Sequence, residues 1–267
     1  MTSLHMGREI ACIGVYCHFH DFGYRLQFSQ VLRIHECIKI YCLQSQYHVF
    51  GFHFIASALE ECPSIYRRFS KHHSVCLQRS SRCDFIDIGI KDQYTEKMVI
   101  LNTHNQQRNK VAMGQESRAG GLPTASNMLE LEWDEELAYI AQKWAEQCIF
   151  EHECWPCRSS NIMLKISHFM FPGSYAISQN LAELTYSCQA DCEVMEHDWK
   201  TMIEAWYNEV QDFSKSLIPS IKFDPIYGHF VTMTWAETYR IGCGYTSYRV
   251  GRSTAKQLYV CDYAPAA

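Results

Sequence analysis

Three absences narrow the reading of this 267-residue chain. A basic excess is missing: 24 Lys+Arg stand against 29 Asp+Glu, a net charge of −5. That excludes a nucleic-acid binder working through a strongly positive face. No apolar run reaches the ~20 residues of a membrane span, which argues against a transmembrane segment. The paired C-x-x-C spacings of zinc modules and the Gly-x-Ser-x-Gly elbow of hydrolases are also missing, so neither a structural zinc cluster nor nucleophilic catalysis is indicated. Against these absences stand 14 cysteines. A reducing cytosol gives little reason to keep so many thiols, and the reading is a secreted, disulfide-bonded, extracellular protein.

The two ends of the chain differ. All six Trp lie beyond residue 90, where the apolar residues also become periodic. Met1 to Gln30 has no apolar h-region and therefore no conventional signal peptide. The nearest pattern is internal, at Tyr47 to Leu59, where Ala56-Ser57-Ala58 resembles a cleavage site; a buried strand or helix is the plain alternative. The expected organisation is an atypical segment 1–58, read as the product of a wrongly joined or unspliced gene model, then a Cys-rich extension 59–92 and a main domain 93–267.

Helical signals come first in that domain. Thr95 opens a helix reaching Val111-Ala112, with Met98, Leu101, Asn105 and Arg108 at helical spacing. Asp134 is an N-cap for a second helix with Leu137, Ile140, Ala141, Trp144 and Cys148 on one stripe. A third runs from about Glu193 to Phe213. Residues 158–180 read as irregular. Three strands are expected last, at Phe230–Trp235, Arg240–Tyr248 and Gln257–Tyr263. Strands with apolar groups on both faces need cover on both sides. Gly242 and Gly244 read as close packing or a bulge.

Four motifs, in order, carry a resemblance. They are His104-Asn105-Gln106-Gln107-Arg108, Ser178-Gln179-Asn180-Leu181, Gly228 through Thr238, and Leu258 through Pro265. Together they resemble the CAP (SCP) superfamily of cysteine-rich secretory, antigen-five and pathogenesis-related proteins, and most of all insect antigen-five venom allergens, over about residues 62–265. The sequence departs from that pattern. Ser178 replaces a usual Gly, Gln179 stands where many relatives have Glu, although Gln is common among antigen-five proteins, Thr232 replaces a usual Gln, and Asp262 replaces a usual Asn. Residues 158–177 are longer and more apolar than the family segment.

The resemblance implies an α+β fold, a three-layer α-β-α sandwich with a small antiparallel sheet between helices, stabilised by disulfides. It implies a cleft built from His152, Gln179, Glu209 and His229, in which His152 and His229 hold a divalent metal such as zinc weakly. No cofactor is required. Gln179→Glu is expected to tighten metal binding by adding a charge. His104, Asn105 and Arg108 are read as a structural network rather than catalytic groups. The implied disulfides are Cys243–Cys261, Cys83–Cys148 and Cys62 with Cys157 or Cys154; Cys76 is assigned to Cys37 or Cys42, and Cys188–Cys192 is a local candidate. The implied function is a non-enzymatic binding protein for a lipid, a sterol-like or another small ligand, with host proteins as further partners. A metal-dependent hydrolase in the same cleft and a structural or immune-interaction module are the alternatives.

Overall fold

The computed structural model describes residues 11–12, 15–16, 62–160, 163–166, 169–172, 176–188, 192 and 194–266. The chain divides into two units, Met1–Leu59 and Glu60–Ala267. In the first, β1 (Ala11–Cys12) pairs antiparallel with β2 (Val15–Tyr16). The expectations for 1–58 otherwise fall outside the described residues, among them the pairing candidates Cys37 and Cys42.

The second unit is built on one sheet. It contains β3 (Asp84–Ile88), β7 (Ser178–Ser187), β8 (Arg240–Arg249) and β9 (Thr254–Ala264), antiparallel in the order β3-β8-β9-β7. A two-residue strand, β4 (Glu132–Trp133), runs parallel to β8. β3 comes from the Cys-rich segment, and β7 begins only at the end of the region 158–180 read as irregular. That region also holds a separate hairpin of β5 (Met163–Ile166) and β6 (Phe169–Pro172).

Helices cover both faces, as strands apolar on both sides require. A short α1 (Ser64–Arg67) opens the unit. The first long helix, α2 (Gln93–Ala112), starts at Asp92, whose carboxylate accepts from the N–H groups of Tyr94 and Thr95. Its buried face is Ile100, His104, Arg108 and Val111, whereas Met98 is exposed, so the stripe lies slightly around the helix from the one expected. α2 packs with α4 (Trp199–Asn208) and α5 (Gly228–Thr234) over Tyr245, Tyr259 and Tyr263. The opposite face is covered by α3 (Glu135–Ala145), capped by Asp134 and buried through Leu137, Ile140, Ala141 and Ala145.

α3 lies against β8 so closely that a Cβ on Gly242 would collide with the backbone at Ala138, and one on Gly244 with that at Gln142. Both glycines are therefore packing residues.

The expected strand Phe230–Trp235 is instead helix α5. Its β-branched Val231, Thr232 and Thr234 suit a strand locally, but Phe230 and Met233, three apart, are the pair that enters the core. The Glu209 carboxylate also accepts from the backbone N–H groups of His229 (2.9 Å) and Phe230 (3.2 Å), satisfying two donors at the helix start. A capping acid supplied from elsewhere in the chain leaves no local signal.

Cys243–Cys261 and Cys83–Cys148 are bonded as the resemblance implied, and Cys188–Cys192 forms a local bridge. Cys62, however, is bonded to Cys76, and Cys157 to Cys154. The turn at Ser74–Cys76 returns Cys76 to a Cα separation of 4.5 Å from Cys62, and one 3-10 turn sets Cys154 and Cys157 5.1 Å apart. Both separations lie in bridging range. The assignments of Cys62 to Cys157 or Cys154 and of Cys76 to Cys37 or Cys42 are replaced accordingly.

Candidate functional site

The cleft lies at β7, the edge of the sheet, where its two faces meet. Successive side chains of a strand point to opposite faces. Gln179 and Asn180 therefore look to opposite sides, and each holds a different partner. Gln179 turns to the α3 side, where its Oε1 meets His152 Nδ1 at 3.2 Å. Asn180 turns to the α5 side and donates to the His229 carbonyl at 3.1 Å. The two imidazoles thus reach the strand edge from either face, with ring centroids 6.5 Å apart. The structure brings together all four residues of the expected cleft.

Glu209 is fully engaged there. Besides capping α5, its Oε1 accepts from His229 Nδ1 at 2.6 Å. A carboxylate with three donors already on it is an anchor for helix and imidazole rather than a free base. Since it can only accept, Nδ1 of His229 carries the proton and a neutral ring keeps its lone pair on Nε2.

Behind Gln179 lie two acids that the sequence reading did not assign to the site. The Gln179 amide nitrogen donates to Glu153 Oε1 at 3.1 Å and to Asp262 Oδ1 at 2.9 Å. Asp262 is the cross-strand partner of Gln179 in the β7–β9 register. Glu153 follows His152 in sequence. Both acids are buried, and their second oxygens, Glu153 Oε2 and Asp262 Oδ2, have no partner among the described residues. Burial, and for Glu153 the neighbouring Asp262, push both carboxyls well above the usual carboxylate range, against the pull of Arg158 and Gln179. The departure of Asp262 from the family pattern was the available signal; its meeting with Glu153 depends on tertiary packing.

His152 stands on the rim, its Nδ1 edge set against Gln179. Desolvation lowers its pKa; the Gln179 bond opposes this, and the nearby Arg158 and His229 add to it. Among the described residues no group of three or more His, Cys, Asp or Glu side chains could hold a metal ion. The donors offered to the cleft are the two imidazoles. A carboxylate at position 179 would face Glu153 and Asp262.

The helix motif His104, Asn105 and Arg108 forms a hydrogen-bond network. His104 Nδ1 bonds the Ile100 carbonyl and Nε2 the Tyr263 hydroxyl, both at 2.8 Å. Its burial holds the pKa down to about 4. Asn105 bonds both the N–H and the carbonyl of Leu131. Arg108 donates to the carbonyls of Leu129, Met233, Trp235, Ala236 and Thr238. It ties α2 to the segment that leaves α5. A separate cavity of about 160 Å³ lies on the outer side of α5, lined by Ile221, Phe223, Tyr227, Val231 and Trp235 among others.

The model of the cysteine-rich secretory protein family, CAP, matches residues 101–263. "Venom allergen 5" of Tityus serrulatus is 39% identical over 211 residues, covering 79% of this chain and 46% of that protein. "Venom allergen 3" of Solenopsis invicta is 35% identical over 211 residues, covering 75% of this chain and 81% of that protein. This chain thus spans about half the length of the scorpion protein. The crystal structure of Na-ASP-1 superposes with a TM-score of 0.47 at 22% identity, over 67% of this chain and 43% of that one.

Proposed function

From the premise that this chain belongs to the cysteine-rich secretory protein (CAP) family, we propose that it is an extracellular, non-enzymatic binding protein of the venom-allergen type, whose cleft takes its ligand between His152 and His229. The observation that carries this reading is the orientation of the two rings. Each has its Nδ1 engaged by an acceptor, Gln179 Oε1 or Glu209 Oε1. Each neutral ring therefore offers Nε2 to an electron-pair acceptor. A divalent ion such as zinc suits two such nitrogens. The ring centroids are 6.5 Å apart, so the rings would close by about 1 Å to take an ion at a tetrahedral angle. Two donors are half of a tetrahedral set, so binding is weak. Zinc would supply Lewis acidity there; the chain's own part is to hold and orient the imidazoles.

A hydrolase reading has less support, because Glu209 already accepts three donors and no nucleophile–base pair adjoins the cleft among the described residues. The cavity beside α5, about 160 Å³, is smaller than the ~300–1,000 Å³ of common ligand pockets. It suits a short apolar segment better than a whole sterol. Five disulfides among the described residues support an oxidising, extracellular setting, and no described helix is long and apolar enough to cross a membrane. Calorimetric zinc titration of the wild type and of a His152→Ala, His229→Ala variant tests the proposal. Equal binding by both would overturn it.

A further inference from the structure

We infer that Glu153 and Asp262 are positioning residues for the cleft: through the Gln179 amide they fix the tautomer of His152. Asp262 faces Gln179 across the β7–β9 ladder, and Glu153 approaches the same amide nitrogen from the segment before the Trp155–Arg158 turn. Two carboxyl oxygens, at 3.1 and 2.9 Å, occupy the two N–H donors of one amide group. Turning the amide over would set its carbonyl oxygen against both acids at once. Even with a proton on each acid, both hydroxyls would have to turn onto that one oxygen in exchange for two bonds already made, and the amide would then present N–H groups to His152. The amide is therefore held one way round, with Oε1 toward His152.

The consequence passes to the imidazole. An amide oxygen accepts only, so His152 Nδ1 must donate, and neutral His152 presents a bare Nε2 to the cleft. A ring nitrogen that binds a ligand is commonly set by what its other nitrogen does, and the groups that set it affect affinity from outside the contact. Glu209 does this directly for His229. For His152 the same task is relayed through Gln179, with the charge held one residue further back. Both acids are buried and touch no ligand position, so their part is orientation, not contact. In the amide's place a Glu would offer an acceptor edge to two other acids, so the pair also dictates that position 179 be an amide.

This inference rests on the proposed binding role of the cleft for its purpose, but its geometry is tested without any metal. The probe is 15N NMR of the histidine side chains in the metal-free full chain, comparing wild type with Glu153→Gln/Asp262→Asn. Those substitutions keep size and add donors that let Gln179 turn over. Wild type is expected to show His152 protonated at Nδ1, and the double variant a substantial Nε2–H population with His229 unchanged. The Asp262→Asn single variant keeps Glu153 as acceptor and should retain the wild-type tautomer, which separates amide orientation from general disturbance. Zinc titration should then show roughly 10- to 100-fold weaker binding by the double variant. His152 protonated at Nε2 in the wild type, or an identical tautomer in the double variant, overturns the inference. Expected tautomers with no zinc binding by any variant leave the positioning intact and overturn the metal reading instead.

Discussion

Gln179 and Asp262 face each other across β7 and β9, joined by a 2.9 Å bond from the Gln179 amide nitrogen to the Asp262 carboxyl. In the family pattern an acid is common at the first position and an amide at the second. Here the amide stands at the first position and donates to the acid at the second. The exchange moves a carboxyl from the rim of the cleft to its buried wall.

That pairing predicts strong coupling between the two positions. Gln179→Glu alone would set three acids together in a buried space and should cost about 2–4 kcal/mol at pH 7. Adding Asp262→Asn restores an acid–amide bond and should recover at least ~1 kcal/mol. Denaturant unfolding of the two single variants and the double variant gives the coupling. Additive losses would show that the two side chains do not interact as described.

Zinc binding should fall between pH 7 and pH 5. Imidazole ligates only when neutral, and an unperturbed His titrates near 6.5. The lowered pKa of His152 delays its own protonation to the acid side of that value. His229→Ala should remove most of the affinity. His197→Gln lies outside the cleft, bonded to Glu96 and Asp87, and should leave affinity unchanged. Calorimetry at pH 7, 6 and 5 reads both effects.

His104 should make the fold acid-sensitive. Its pKa is lowered to about 4 by burial in the folded chain, while the unfolded chain takes up that proton near 6.5. Between these values the unfolded state binds more protons, so stability falls as pH falls through the window. The full difference is worth about 3 kcal/mol at ~1.4 kcal/mol per pKa unit. Unfolding free energies measured from pH 7 to pH 4 should fall less steeply for His104→Gln than for wild type.

How much of this was legible in the sequence depended on whether the signal was local. Asp134 with its apolar stripe, and the Tyr-bearing β8 and β9, carry their own local signals. Helix α5 does not: Glu209, nineteen or more positions earlier, supplies its N-terminal acceptors. Strand β7 was hidden because Leu181 and Leu184 face opposite sides of an edge strand, giving no simple alternation of apolar and polar. The cleft residues could be placed by the family pattern, but Glu153 and Asp262 join them only when β9 is laid beside β7.

The disulfides offer a separate test of the N-terminal extension. Peptide mapping under non-reducing conditions should recover Cys62 with Cys76 and Cys154 with Cys157; a Cys62–Cys157 cross-link would overturn the pairing found here.

Arg108 should matter for its shape as well as its charge. Its guanidinium donates to five backbone carbonyls, on Leu129 and on the chain from Met233 to Thr238. Burial holds its pKa down to about 10, still far above neutral pH, so the donors stay in place. Lys has three donors on one nitrogen and cannot span carbonyls on both sides of a planar fork. Arg108→Lys should therefore leave several buried acceptors unmade, at about 1–3 kcal/mol for each strongly affected group, and lower stability by at least ~3 kcal/mol. Because these carbonyls belong to the segment that leaves α5, hydrogen exchange should also rise at the amides of 233–238 before the β8–β9 pair opens. Uniform loss of protection across the sheet would show instead that Arg108 supports the whole core and not this one connection.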